Sequence, residues 1–188
     1  MIDVVDALAP LAAERGVTLI PALPAADSAM VMGDRDQILQ VTQNLVENAL
    51  KYTPAGKTVT IEVEGDLDVS TATTATASGG AHLSLLTPEH AVGKRYVALR
   101  VRDVGPGIAR ANLPRLTERF YRVEGQRVLD KPGTGLGLAI VKHIVNRHRG
   151  GLTVESAEGV GSVFTAYVPQ VQAAVDGGIS AAGLTPMP

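Results

Sequence analysis

Apolar residues recur with the spacing of an amphipathic helix in three segments of the chain. Residues 2–16 predict a first helix, in which Pro10 lies near the start of the regular part or bends it. Residues 33–56 carry the strongest helical pattern, with Asp34 as the predicted N-cap. Residues 133–151 predict a glycine loop that opens directly into a helix, which a Gly-Gly pair ends.

Alternation of apolar and polar residues marks several stretches between these helices as strands. The alternation is clearest at 57–65 and 95–105, which we expect to be neighbouring strands of one sheet. Shorter strands are predicted at 17–23, 28–32, 152–159 and 161–169. This mixture of helices and strands predicts an α/β domain.

Two segments lack such a pattern. Residues 66–94 are rich in Thr, Ala, Ser and Gly and are much longer than an ordinary hairpin connection. We expect most of this segment to be a mobile surface insertion, with a short helix near 87–93. Residues 170–188 are expected to form a largely disordered tail, so one domain is predicted over 1–169.

The composition excludes several classes of protein. The chain has 188 residues, 17 Lys and Arg against 19 Asp and Glu, no cysteine, and 3% aromatic residues. A net charge of −2 gives no basic field for nucleic acid, and few aromatic residues are available for stacking on bases. The sequence contains neither a signal peptide nor an apolar run long enough to span a bilayer, so we expect a cytoplasmic segment without membrane contact.

The predicted helix at 33–56 has an unusual polar side. At 100° per residue, Asn48, Glu47 and Lys51 fall within roughly 60° of Asn44, whereas apolar residues fill the opposite arc. Amide and carboxylate oxygens are ligands that Mg²⁺ accepts together with phosphate oxygens, and Lys51 lies where it could meet a phosphate. The alternative is that both asparagines are ordinary surface residues.

Two glycine-rich segments are candidates for binding an anion or a nucleotide. The loop GTGLGL at 133–138 precedes a helix, whose N-terminus attracts anions, but it matches neither a P-loop nor a dinucleotide fingerprint. In RDVGPGI, Asp103 follows a strand and precedes glycines, so its carboxylate could accept a hydrogen bond from a ligand or cap a turn. The four histidines lack the spacing of a zinc site.

The order of these motifs resembles the ATP-binding catalytic domain of sensor histidine kinases. NLVENALKYT, DVGPGI, RFYRVEG, GTGLGLAIVKHIVNRHRGG and GVGSVF follow one another as do the N, G1, F, G2 and G3 boxes of that family. The flanking residues are most similar to phosphate-regulon sensor kinases of bacteria. The resemblance implies a two-layer α/β sandwich, with a mixed, mostly antiparallel sheet of about five strands against about three helices and a flexible lid over ATP.

The resemblance also implies roles for residues of the helix at 33–56. Asn44 and Asn48 would coordinate Mg²⁺. Glu47 would assist phosphoryl transfer by polarising the attacking imidazole, while Lys51 and Arg122 would meet the phosphates. These assignments agree with phosphoryl transfer as a reaction driven by positioning and charge neutralisation.

For the adenine, the resemblance implies that Asp103 accepts a hydrogen bond from the amino group and that Tyr52 packs on the ring. The lid would run from about Phe120 to Gly137. The other residues implied to contact the nucleotide are Gly105, Gly107, Ile108, Phe120, Gly133, Thr134, Gly135, Leu136, Gly137 and Leu138.

Two departures from the family pattern affect the expected function. Val104 replaces a residue that is often polar, which should change the edge of the pocket without abolishing binding. No histidine has the context of the phosphoacceptor, which the family carries on a helical hairpin that also forms the dimer. We therefore expect a catalytic domain that binds ATP but does not phosphorylate itself, with the hairpin domain and a response regulator as partners.

Two alternatives to a kinase domain remain open on the sequence. ATP-driven clamps of the type II topoisomerase, Hsp90 and mismatch-repair class share the first motif but lack strings such as RFYRVEG. A pseudokinase or ATP-sensing module of the same fold would bind nucleotide without transferring phosphate. The presence of Asn44, Glu47, Asn48 and Gly135 argues against lost chemistry.

Overall fold

A computed structural model describes residues 2–24, 28–74, 80–89, 93–123 and 134–171. Its helices are α1 (Ile2–Glu14), α2 (Arg35–Tyr52), α3 (Val69–Thr73) and α4 (Gly137–Arg147), with a 3-10 helix at Arg110–Arg115. Its strands are β1 (Thr18–Ala22), β2 (Thr58–Leu67), β3 (Ala81–Leu86), β4 (Tyr96–Asp103), β5 (Gly151–Ala157) and β6 (Gly161–Pro169).

The strands form one mixed sheet in the order β1-β2-β4-β6-β5-β3. β1 is parallel to β2, and every other neighbouring pair is antiparallel. The predicted pairing of the segments 57–65 and 95–105 is confirmed, because β2 and β4 lie side by side with Ile61 opposite Val101. The α/β sandwich is also confirmed, with six strands instead of about five.

The main core lies between one face of the sheet and helices α1, α2 and α4. Leu45, Val46 and Leu50 of α2 are at most 1% exposed and belong to the same cluster as Ile61 and Val101 of the sheet. Hydrophobic burial of this kind is the main force that holds a helix on a sheet. It therefore determines which side of α2 faces away from the core.

The ends of α2 are formed by the residues that the sequence indicated. The Asp34 carboxylate accepts hydrogen bonds from the backbone N–H groups of Asp36 and Gln37 at 3.0 and 3.2 Å. The Gln37 side chain donates to the same carboxylate at 3.1 Å, which adds a third hydrogen bond to the N-cap. The helix ends at Tyr52, one residue before the Thr53-Pro54 pair.

One predicted strand is absent. In residues 28–32 only Val31 pairs, through an isolated bridge to Gln170, while the Met30 carbonyl accepts from the Val171 N–H. β1 already occupies the outer edge of β2 as far as Glu62. β2 continues to Leu67 beyond this point, so an open edge exists, but the segment bonds instead to the residues that follow β6.

Residues 66–94, where the sequence predicts mostly a mobile surface insertion, contain regular structure in the part that the structure describes. β2 continues to Leu67, α3 follows, and β3 pairs with β5 as an edge strand of the sheet. Leu67 and Ala72 pack with Tyr96, Ala98 and Tyr167 in a second apolar cluster. Because residues alternate between faces along β4, this cluster lies on the face opposite the main core.

Other predictions for these regions extend beyond the described residues. Of the short helix predicted at 87–93, residues 87–89 and 93 are not helical, and 90–92 lie outside the described residues. The predicted disordered tail lies outside them from residue 172 onward. No helix in the described ranges combines the length and apolarity that crossing a bilayer requires.

Candidate functional site

A cleft of about 300 Å³ opens between α2, the loop after β4, the start of α4 and the segment after the 3-10 helix. It brings together many of the predicted site residues, from positions far apart in the chain. The lining residues that the sequence had singled out are Asn44, Glu47, Asn48, Lys51, Tyr52, Asp103, Gly107, Ile108, Arg122, Thr134, Gly135, Gly137 and Leu138.

The polar side of α2 divides between two environments. Asn44, Glu47, Asn48 and Lys51 line the cleft. Residues of the first half of the same side, including Gln40, line a separate open depression near the N-terminus of α2. α2 is 18 residues long, so its polar side extends beyond the cleft. Only the C-terminal half of α2 faces the cleft.

Hydrogen bonds orient two of these polar side chains. The Asn44 amide nitrogen donates to the Gln40 carbonyl at 2.9 Å, which leaves its oxygen directed toward Gly137, where a Cβ would lie 3.2 Å from it. The Glu47 carboxylate accepts from the Gln43 amide at 2.7 Å. These side chains fit a hard cation, which prefers oxygen ligands, because Asn44, Glu47 and Asn48 share one wall of the cleft. The Asn44 nitrogen is held by its hydrogen bond to Gln40, so its oxygen is available as a ligand.

No group of three or more His, Asp or Glu side chains in the described part of the chain could hold a metal ion by itself. A cation in this cleft would therefore need further oxygen ligands from the bound molecule or from water.

Asp103 is a buried carboxyl group at the base of the cleft, 7% exposed. Its Oδ1 accepts from the Gly105 N–H at 2.9 Å. Burial raises the pKa of Asp103 to about 6, although the Gly105 N–H and the N–H and hydroxyl of Ser162 act to lower it. A buried carboxylate with donors on one side is suited to accept a further hydrogen bond from a ligand.

The loop after Asp103 is held close to α2 and to β5. A Cβ at Gly105 would lie 2.6 Å from the Tyr52 carbonyl oxygen, so only glycine allows the loop to approach the end of α2. The Ile108 N–H donates to the Ser156 hydroxyl at 2.8 Å, and that hydroxyl contacts the Ser162 hydroxyl at 3.0 Å. Gly105 itself does not line the cleft; it sets the position of the residues that do.

Positive charge gathers at the cleft. Lys51 and Arg122 line it together with Arg15, which the sequence had not indicated. Burial lowers the pKa of Lys51, and the charges of Arg122 and then Arg15 lower it further. Within the described residues, none of the ion pairs involves Arg15, Lys51 or Arg122, so these cations meet no carboxylate there.

The predicted lid lies only partly within the described residues, and Gly133 lies outside them. The Phe120 N–H donates to the Gly135 carbonyl at 2.9 Å, and a Cβ at Gly135 would lie 2.8 Å from the Phe120 backbone. The two ends of the segment are therefore in direct contact. The Phe120 side chain is 70% exposed and does not line the cleft, and neither does Leu136, which precedes α4.

Sequence reasoning missed several lining residues. They are Leu11, Arg15, Pro106, Leu116, Tyr121, Val123, Ser162 and Phe164. Tyr121 is positioned by a hydrogen bond from its hydroxyl to Asn112 at 3.0 Å and by Arg115, whose guanidinium lies 4.2 Å from the ring centroid. Strand alternation would have placed Ser162 and Phe164 on one face of β6, but nothing local indicated that this face meets a ligand.

A family model described as "Histidine kinase-, DNA gyrase B-, and HSP90-like ATPase" matches residues 33–172. Among curated proteins, the phosphate regulon sensor protein PhoR of Pseudomonas aeruginosa is 39% identical over 152 residues, which cover 81% of this chain and 28% of that protein. The sensor histidine kinase WalK of Bacillus subtilis is 32% identical over 156 residues, which cover 83% of this chain and 21% of that protein. The chain thus spans about a quarter of the length of these curated relatives.

Solved structures agree with the sequence relatives. The mycobacterial sensor histidine kinase MprB is 25% identical with a TM-score of 0.59, over 90% of this chain and 93% of that one. Full-length ShkA in complex with AMPPNP is 25% identical with a TM-score of 0.62, over 92% of this chain and 30% of that one. The catalytic domain of the histidine kinase ThkA, at 23% identity and a TM-score of 0.64, supports the fold.

The raised pKa of Asp103 predicts a pH dependence of stability. A carboxyl group whose folded pKa is about 6, against 3.8 as its ordinary value, stabilises the fold when protonated and loses that contribution as the pH rises through 6. Relative to Asp103→Asn, the parent should lose about 1–2 kcal/mol of unfolding free energy between acidic and slightly alkaline pH. Urea unfolding of both proteins without nucleotide, at pH 4.5 and 7.5, measures this. A difference that does not change with pH would contradict the burial of an ionisable carboxyl group.

Proposed function

The chain belongs to the family of histidine kinase-, DNA gyrase B- and HSP90-like ATPases and matches the ATP-binding catalytic domain of bacterial sensor histidine kinases. From this premise we propose that it binds Mg²⁺-ATP and transfers the γ-phosphoryl group to a histidine on a separate domain. The observation that carries the proposal is the cleft, in which a buried carboxyl, amide side chains and cations that meet no carboxylate among the described residues face one space.

The dimensions of the cleft suit a nucleoside triphosphate. Gly137 lies beside Asn44 and Gly105 beside Tyr52, so the two glycine segments meet α2 eight residues apart. At the rise of an α-helix this separation is about 12 Å, which suits an extended nucleotide with its base toward Asp103 and its terminal phosphate toward Asn44. Asp103 would then accept a hydrogen bond from the adenine amino group, with Tyr52 and Ile108 against the ring.

The proposed metal ligands are Asn44 and Asn48. Bound there with phosphate oxygens, Mg²⁺ would neutralise charge on the phosphates. The amide of Asn44 is held in a suitable orientation by its bond to Gln40. Because this hydrogen bond lies within α2, the Asn44 side-chain oxygen stays directed into the cleft, where it could bind the metal ion.

In the proposed reaction, an imidazole nitrogen of the partner histidine attacks the γ-phosphorus, and the bond to the oxygen that bridges the β- and γ-phosphates breaks. ADP leaves with that electron pair. Glu47 accepts a hydrogen bond from the other imidazole N–H and favours its loss as the new N–P bond forms. Lys51 and Arg122 stabilise the negative charge on the phosphates, which is the main contribution a protein makes to this kind of transfer.

The partners follow from the same proposal. The histidine would lie on the dimerisation hairpin of the same kinase, and the phosphoryl group would pass on to a response regulator. The similarity to a phosphate regulon sensor protein and to a sensor histidine kinase supports this arrangement. We place the domain on the cytoplasmic side of a membrane-anchored sensor of the phosphate-regulon type, where it would act on the hairpin and not on itself.

Phosphate transfer to the hairpin tests the reaction directly. The chain is incubated with γ-labelled ATP and the separately made hairpin domain of the same kinase, alongside Glu47→Gln. The parent should label the hairpin histidine, and Glu47→Gln should be at least about 100-fold slower with an ATP affinity within about threefold of the parent. Binding of ATP without transfer by the parent would instead indicate a pseudokinase. Equal transfer by both proteins would rule out the role of Glu47.

The metal role of Asn48 predicts a loss that depends on Mg²⁺. Asn48→Ala should weaken ATP binding about tenfold or more in calorimetry with Mg²⁺, and much less with EDTA, because only the metal-bound nucleotide uses the amide oxygen. Asn146→Ala, an exposed asparagine on α4 outside the cleft, is the control. Unchanged affinity for Mg²⁺-ATP would show that Asn48 is not a ligand.

A further inference from the structure

Arg15 is a residue of the cleft that the motifs do not include. It follows the last residue of α1 and lies 29 positions before Asn44 in the chain. The fold places it on the cleft wall because α1 packs beside α2 through Leu8 and Ala12 in the main core. The end of α1 thus brings a charged side chain to a site whose other charged residues come from α2 onward.

The position of Arg15 is defined by the end of α2. Its Nη1 donates to the Leu50 carbonyl at 3.5 Å, which is longer than the range of about 2.7–3.2 Å for an ordinary N–H···O bond. Lys51 is the next residue along α2, and its Nζ lies 5.1 Å from the centroid of the Tyr52 ring. Arg15 and Lys51 therefore extend the row of cleft-facing side chains that begins at Asn44.

Gathering Arg15, Lys51 and Arg122 has an electrostatic cost. Like charges repel, and the lowered pKa of Lys51 reflects burial, then Arg122, then Arg15. The whole chain carries a net charge of −2, so this cluster runs against the general charge of the protein. Such a cluster is compensated when a polyanion binds, since one ligand then neutralises all the cations at once.

The other role available to Arg15 is to cap α2, since a cation near a helix C-terminus interacts favourably with its last carbonyls. A single bond at 3.5 Å uses little of a guanidinium group, which has five N–H donors in a planar arrangement. The remaining donors are available to a second acceptor in the cleft.

We propose that Arg15 is a phosphate-binding residue, which acts with Lys51 and Arg122 to hold the phosphate chain of the nucleotide. The inference rests on the proposed function and adds α1 to the binding site. A nucleotide bound in this way also links the end of α1 to α2, because one anion contacts Arg15 and residues of α2.

The test compares Arg15→Gln, Arg15→Lys and the control Arg147→Gln, which makes the same charge change at an exposed position of α4. Calorimetry at low salt measures the affinities of ATP, adenosine and inorganic triphosphate, and urea unfolding measures the stability of each apo protein. Arg15→Gln should weaken ATP and inorganic triphosphate about tenfold and leave adenosine unchanged, because only the phosphates lose a charged donor. Arg15→Lys should recover part of the loss, and Arg147→Gln should bind as the parent does.

Two results would overturn the inference. Equal weakening of ATP and adenosine, together with a lower free energy of unfolding, would show that Arg15 only caps α2. Unchanged ATP affinity in Arg15→Gln would show that the side chain does not meet the phosphates. Failure of the proposed function would look different, because the parent itself would then bind no ATP. Failure of the inference alone would leave the parent and Arg15→Gln binding ATP equally well.

Discussion

The burial of one side of α2 is the constraint on which the rest of the structure depends. Leu45, Val46 and Leu50 are almost completely removed from solvent against the sheet, so the rotation of the helix about its axis is determined by the core. With that rotation set, Asn44 and Asn48 face the cleft. A change that turned α2 by one residue would place apolar side chains in the cleft and polar ones in the core.

The cleft is built from groups that are unfavourable without a ligand. Asp103 is buried enough that its pKa rises to about 6, and Lys51 is partly buried beside other cations. Each group loses hydration that the described protein replaces only in part. In the proposed complex, the adenine amino group and the phosphates supply the missing hydrogen bonds and opposite charges. These groups would therefore favour a molecule that carries both an amino group and phosphates.

Sequence reasoning succeeded where one element carries its own pattern. The polar side of α2 and the pairing of β2 with β4 followed from periodicity, because helix and strand repeats are local properties. It failed where the outcome depends on distant partners. Residues 28–32 have strand-like composition but bond to the residues that follow β6 and join no strand ladder. β3 was not predicted because residues rich in Thr, Ser and Gly surround its six positions.

The same distinction applies to the site. Asn44, Glu47, Asn48 and Lys51 could be grouped from the sequence because they lie on one helix. Arg15 could not, because only the packing of α1 against α2 brings it to the cleft, and Ser162 reaches Asp103 through the pairing of β4 with β6. Phe120 is the opposite case, since its motif suggests a nucleotide contact, whereas its side chain is largely exposed in the structure.

The central claim is that the buried carboxyl of Asp103 recognises the amino group of adenine while the cations hold the phosphates. The most direct measurement compares the calorimetric affinity of ATP with that of the purine nucleoside triphosphate that carries hydrogen in place of the 6-amino group, both with Mg²⁺. Because that analogue would give the buried carboxylate no hydrogen bond from the ligand, it should bind at least about tenfold more weakly than ATP. Equal affinities for the two nucleotides would contradict the account.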